Sequence, residues 1–155
     1  MDVASFLVQA LNGLAAASSL FLVAAGLSLI FGVTRIVNFA HGSFFMLGIY
    51  LAYTLVERLA PALGFWPVLL LAPLVTGLLG AVVEVALLRR IYRAPELFQL
   101  LATFALVLVI KDAVLWAWGP EELFGPRAPG LEGAVPILGR QFPVYDLFLM
   151  AVGPV

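Results

Sequence analysis

Four long stretches of this chain are almost free of charge, and each is close to the roughly 20 helical residues that a bilayer core requires. They lie within about 6–33, 36–56, 66–88 and 96–118, and most charged residues gather between them. A backbone in hydrocarbon has no water to bond with, so a segment of this length crosses as a helix that pairs its own amides and carbonyls. The expected fold is therefore an all-α integral membrane protein with four transmembrane helices and the start of a fifth. A mean hydropathy of +1.13, with 64% hydrophobic and 11% charged residues, excludes an ordinary soluble domain, in which about a quarter of residues are charged. The fifth apolar run, 146–155, is too short to span, so 1–155 reads as the N-terminal part of a single transmembrane domain that stops inside a helix. Met1-Asp2 is not a basic leader, and the run behind it exceeds signal-peptide length, which makes the first helix a retained one.

Arginine and lysine near span ends stay on the cytoplasmic side, whereas acidic residues matter little. Arg89, Arg90 and Arg93 form the densest basic cluster. Placing them inside puts Arg35 inside as well, and leaves the N-terminus and the Glu57-Arg58 corner outside. Segment 119–143 then faces outward, with Arg127 and Arg140 diluted by Glu121, Glu122 and Glu132. It holds five of the ten prolines and five of the fourteen glycines, which forbids a long helix there. Gly139-Arg140, flanked by Ile137-Leu138 and Gln141-Phe142, is expected to turn a short β-hairpin. Pro95-Glu96 suits the first turn of the fourth helix, where a missing N–H costs nothing and a carboxylate complements the dipole.

The net charge of −1 offers no basic face to nucleic acid, so the lipid bilayer is the expected surrounding. No cysteine and one histidine rule out a disulfide, a zinc finger or a multi-histidine metal site, and no cofactor is expected in this chain. No catalytic residue is assigned, since no acid, base and nucleophile converge.

Polar groups within the apolar runs are costly and mark candidate sites. Asn38, Phe39, His41, Gly42 and Ser43 open the second run and form the candidate translocation pathway or hinge. Asn38 as an N-cap would start the helix near Phe39 and leave irregular backbone before it, which is tolerated at membrane depth only inside protein or along a wet cavity. A capped, buried helix end accounts for the same residue. His41 and Ser43 stand two apart, on nearly opposite sides of a helix, so they do not pair as a hydrolase would require. Lys111 and Asp112 lie past the middle of the fourth run. About twelve Leu, Ile, Val and Phe residues supply roughly −4 to −7 kcal/mol for insertion, against about +2.5 to +3.5 for each charge at the centre. Snorkelling of Lys111, with Trp116 and Trp118 at the interface, and a solute-facing Asp112 are the two readings. Glu84 sits before Arg89, Arg90 and Arg93 and either pairs locally or couples this cytoplasmic loop to a partner. Small residues recur four apart at Gly13 and Ala17, at Ala24, Ser28 and Gly32, and at Gly77 and Ala81, a pattern that lets helices approach closely.

Leu11-Asn12-Gly13-Leu14, Ala25-Gly26-Leu27-Ser28-Leu29-Ile30-Phe31-Gly32-Val33, Val37-Asn38-Phe39-Ala40-His41-Gly42-Ser43 and Met46-Leu47-Gly48-Ile49-Tyr50 together resemble the LivH-type permease subunit of branched-chain amino acid ABC importers. Asn-Phe-Ala-His-Gly separates this type from the LivM-type subunit, which carries a Leu-Gly-His version. Glu84 with Arg89-Arg90-Ile91-Tyr92-Arg93, and Trp118-Gly119-Pro120, also look like this family, so the resemblance covers essentially the whole chain. It implies a multi-pass protein of the bacterial inner membrane that pairs with a LivM-like permease subunit, two cytoplasmic ABC ATPases and a periplasmic solute-binding protein. ATP would be hydrolysed by those partners, because no phosphate-binding glycine-rich loop occurs here. Family members also carry urea and short amides. The chain is about half the length of such permeases, and the segment that docks the ATPase is expected beyond Val155. The rival reading is a non-transporting membrane scaffold or assembly protein, or an inactive permease remnant, in which the polar cluster only holds helices together.

Overall fold

In the computed structural model, residues 3–137 and 139–153 are described. The N-terminal pair Met1-Asp2, expected to face outward, the hairpin residue Leu138, and Pro154 and Val155 of the fifth run lie outside them. Helix α1 is Val3–Thr34, α2 is His41–Leu63 and α3 is Phe65–Val83; a π-helical turn, Glu84–Leu88, leads into the short α4, Arg89–Ile91. Helix α5 is Glu96–Trp118, strands β1 and β2 are Ala134–Ile137 and Arg140–Pro143, and α6 is Val144–Val152. Among the described residues four helices are long and apolar enough to cross a membrane: Ser5–Thr34, His41–Leu63, Phe65–Ile91 and Glu96–Trp118. Their outward faces carry large exposed apolar side chains such as Leu29, Leu70, Leu74 and Leu101, as expected where lipid replaces water.

Two helix limits differ from the sequence reading. Helix α2 begins at His41 rather than 36, because Asn38 draws the chain into a turn first. It also runs past Glu57 and Arg58 to Leu63, with Pro61 accommodated in its last turn. A single residue, Gly64, then reverses the chain into α3; its φ of 86° is a conformation that side chains rarely adopt.

The chain packs as two contact units, one within Met1–Gly26 and Pro126–Val155, the other within Leu27–Gly125. In the first, β1 and β2 pair antiparallel with Ile137 opposite Arg140. Arg140, which the sequence suggested for the turn, therefore lies in β2. Gly139 takes φ of 78°, which suits a turn, while Arg140 donates through Nη2 to Ser5 Oγ at 2.7 Å. Phe142 is buried beneath the hairpin, and Val144 N–H bonds Gly133 O as α6 begins. Helix α6 starts at Val144, two residues before the expected run, behind Pro143 as its cap. At its end, a Cβ on Gly153 would meet Ser18 Cβ at 2.7 Å, so α6 and α1 touch almost backbone to backbone. Ser18 is buried at that contact, and Ala15 is buried three residues before it on α1. Among the described residues nothing stands within 4 Å of a Cβ at Gly13, Gly32 or Gly77 of the anticipated stripes.

In the second unit, α2 lies against α3 and α5, and Ala40, Leu106, Ile110 and Val114 form its core with Phe44, Leu47, Tyr50 and Val83 around them. One buried polar side chain fixes the elbow between α4 and α5. Gln99 Nε2 donates to Ala94 O at 2.8 Å and to Tyr92 O at 3.2 Å, satisfying carbonyls left open where α4 ends. Gln99→Leu is expected to strand these acceptors at a cost of about 1–3 kcal/mol, seen as a lower thermal midpoint of the detergent-solubilised protein. An unchanged midpoint would mean that the elbow is held by its apolar contacts alone.

Candidate functional site

The break between α1 and α2 is built from its own side chains. Arg35 adopts φ of 56°, a left-handed conformation that costs a non-glycine residue about 1–2 kcal/mol. Its N–H closes the last turn of α1 on Phe31 O at 2.8 Å. The Thr34 hydroxyl donates to Ile30 O at 2.9 Å and accepts from Ile36 N–H at 3.3 Å, so one side chain braces both sides of the bend. Asn38 Oδ1 accepts the Ala40 N–H at 3.0 Å, and its carbonyl accepts the His41 N–H at 3.2 Å. Asn38 thus does the work of a cap two residues before the regular helix, leaving irregular backbone over 35–38.

Helix packing sets the depth of this break. Near the middle of α2, Trp118 Nε1 donates to Thr54 Oγ1 at 2.7 Å and the Trp118 ring lies 5.4 Å from that of Tyr50. Counting back about twelve residues along the two parallel helices brings Ala40 level with Leu106. A Cβ on Gly48 would stand 3.3 Å from Thr76 Oγ1, so on antiparallel α3 the same level falls near Glu84, and Val83 indeed packs on the Ala40 cluster. Helix α5 continues about 15 Å beyond this level to Glu96, and the α3 side about 10 Å to Ile91. The start of α2 therefore lies well inside the ends of its neighbours.

The polar residues of the cluster are not equivalent. Ser43 and Ala40 are buried, Asn38 and His41 are half-buried, and Phe39 and Gly42 are exposed, with nothing within 4 Å of a Cβ on Gly42. His41 and Ser43 both lie in the first turn of α2. Ala40, fully buried at the centre of the helix contact, is the residue that sequence reasoning passed over. Its one signal was a small apolar residue inside a polar run.

Lys111 and Asp112 are not brought to this cluster. Both are exposed on α5, off the buried stripe of Gln99, Thr103, Leu106, Ile110 and Val114. Lys111 lies about 10 Å from the Trp118 end, within reach of an interface by extending its stem. Trp116 is 90% exposed, whereas Trp118 is half-buried against α2 by its hydrogen bond, so only Trp116 stands outward as an interface residue would.

At the α3 end, Glu84 accepts a hydrogen bond from the Tyr92 hydroxyl and lies 3.9 Å from Arg89 Nε. Burial, then the bond to Glu84, pushes the Tyr92 phenol up to about 12. The Arg89 contact is long and largely exposed and adds little stability. Arg90 and Arg93 are exposed beside it. Among the described residues no group of three His, Cys, Asp or Glu side chains could hold a metal ion.

Residues 9–149 match the family described as branched-chain amino acid transport system, permease component. Over 127 residues the chain is 28% identical to the high-affinity branched-chain amino acid transport system permease protein BraD of Pseudomonas aeruginosa, a stretch of 78% of this chain and 41% of that protein. The LivH permease proteins of Escherichia coli K12 and Salmonella typhimurium are 35% identical over 54 residues, 35% of this chain and 18% of theirs. The chain thus spans about two fifths, or less, of the length of these relatives. No solved structure matches it.

Proposed function

This multi-pass membrane chain belongs to the branched-chain amino acid transport permease family, and we propose on that premise that it forms part of the translocation pathway of an ATP-driven ABC importer. The solutes would be branched-chain amino acids or related small molecules such as amides and urea. ATP would be hydrolysed in two separate cytoplasmic ATPases. A LivM-like permease subunit and a periplasmic binding protein would complete the assembly in a bacterial inner membrane. The chain itself would be a conduit rather than a catalyst.

One observation carries this reading beyond the family: the polar start of α2 lies level with the middle of α5, about 15 Å from that helix's beginning. Helix ends and irregular backbone at such depth are tolerated where protein buries them or where they border a cavity, and transporters build solute sites from broken helices of this kind. Asn38, Phe39, His41, Gly42 and Ser43 would then edge the path, with Gly42 leaving room beside it. Asp112 stands on a face that this chain leaves open, where a neighbouring subunit or wet path would have to satisfy it.

The test is accumulation of labelled leucine, isoleucine or valine by cells lacking the gene and by cells complemented with it. Deletion is expected to lower uptake of at least one of them several-fold, with complementation restoring it. Unlabelled urea or acetamide added in excess would reveal by competition whether the site accepts amides. Unchanged flux of all three amino acids on deletion would instead favour the scaffold.

A further inference from the structure

We propose that the arginine-bearing elbow between α3 and α5 binds the phosphate headgroup of an anionic phospholipid. The third membrane-length helix ends at Ile91, and Arg89, Arg90 and Arg93 lie exposed within one turn of that end. Arg89 and Arg90 stand on the last helical turn and Arg93 in the turn that follows it, so three exposed guanidinium groups fall within five residues of chain. Guanidinium forks suit phosphate because each can offer two parallel N–H donors.

The surroundings favour a lipid over a soluble anion or a protein. Below the arginines on α3 and the π turn, Val82 and Val85 are exposed; across the elbow Leu97 and Phe98 are exposed on the first turn of α5. A charged rim above an apolar flank fits a molecule with a phosphate at one end and acyl chains below it. The base is held firmly by two Gln99 hydrogen bonds to the elbow's carbonyls and by the Tyr92 hydroxyl donating to Glu84. Little ordering of the backbone is then left to the binding step.

Two carboxylates face this rim. Glu84 is engaged by Tyr92 and lies 3.9 Å from Arg89 Nε, and Glu96 sits in the first turn of α5, where it complements the helix dipole. Three arginines therefore meet two acids, and the rim keeps a net positive charge even with Arg89 beside Glu84. The inference requires that the chain crosses a bilayer, which the family supports, and is independent of whether it carries a solute.

The experiment reconstitutes the full chain in phosphatidylcholine vesicles and compares spin-labelled phosphatidylglycerol with spin-labelled phosphatidylcholine in the motionally restricted shell. A preference for phosphatidylglycerol of about fivefold or more is expected, the factor that one juxtamembrane arginine contributes. R89Q/R90Q/R93Q should bring it close to one, the corresponding triple lysine variant should keep most of it, and R58Q, on a different corner, should leave it unchanged. No preference in the unmodified chain would overturn the proposal, whether or not the variants fold. So would a preference that survives the triple glutamine change, or one that R58Q reduces equally. Photocrosslinking from position 90 in the assembled transporter is expected to capture lipid; capture of a protein subunit alone would mean that the arginines serve a subunit contact instead.

Discussion

Asn38→Leu is expected to lower solute uptake by about tenfold or more while the protein still inserts and assembles, and His41→Leu should do the same. The size of the effect follows from where Asn38 acts. Its Oδ1 holds the Ala40 N–H at 3.0 Å, while its carbonyl holds the His41 N–H, so this residue defines where α2 begins. Loss of a cap acceptor costs about 0.5–2 kcal/mol. That is too little to unfold a helix packed along its length, but enough to let the first turn of α2 and the preceding irregular segment rearrange. Leucine also makes the segment more apolar, which favours insertion rather than opposing it. Uptake and membrane abundance should therefore separate.

Labelled amino acid uptake, normalised to the amount of protein in the membrane, reads this directly. Asn38→Ser keeps an acceptor at the cap position, so it should recover the stability lost in Asn38→Leu. If it also recovers uptake, the helix start alone matters; if uptake stays low, the amide itself borders the solute path. Wild-type uptake in both leucine variants would remove the cluster from the mechanism.

The transmembrane helices were legible because hydrocarbon imposes length and polarity on a segment before any packing is considered. Their ends were less so. The start of α2 depends on hydrogen bonds made by Thr34 and Asn38 to backbone a few residues away, and several local arrangements satisfy the same letters. Arg140 was read as a turn residue for a related reason: a glycine beside an arginine suits either turn position until Arg140 is seen in β2 and reaching Ser5. The depth of the Asn38 cluster was hidden altogether, since it follows from Trp118 meeting Thr54 and Gly48 meeting Thr76, contacts between residues far apart in sequence. Small-residue stripes were visible yet did not locate the contacts this chain makes. Close approach at Ser18 is decided by which face Gly153 reaches, and the spacing of alanines and glycines along one helix carries no such information.

Ala40→Leu should be the most damaging single change to the packing of α2. Ala40 is fully buried among Leu106, Ile110 and Val114, and the next residues along, Phe39 and His41, are exposed and half-buried. Within a membrane, lipid tails are as apolar as leucine, so the helices gain nothing from burying a larger side chain; what holds them is close contact. Adding carbon atoms at a filled position should therefore cost about 1–3 kcal/mol by forcing α2 away from α5. The strain falls on the first turn of α2, so uptake should drop together with stability, in contrast to the leucine change at Asn38. A lower thermal midpoint of the solubilised protein, joined to faster proteolysis near residues 35–40, is the expected signature. Phe39→Leu, at an exposed neighbour, serves as the comparison and should leave the midpoint almost unchanged. The decisive arm is the double variant: Leu106→Ala opens space at the same level of α5 and should return part of the stability lost in Ala40→Leu, giving a coupling of about 0.5–3 kcal/mol. Strict additivity of the two losses would show that Ala40 and Leu106 do not share a contact, and the start of α2 would then have to lie at another height along α5.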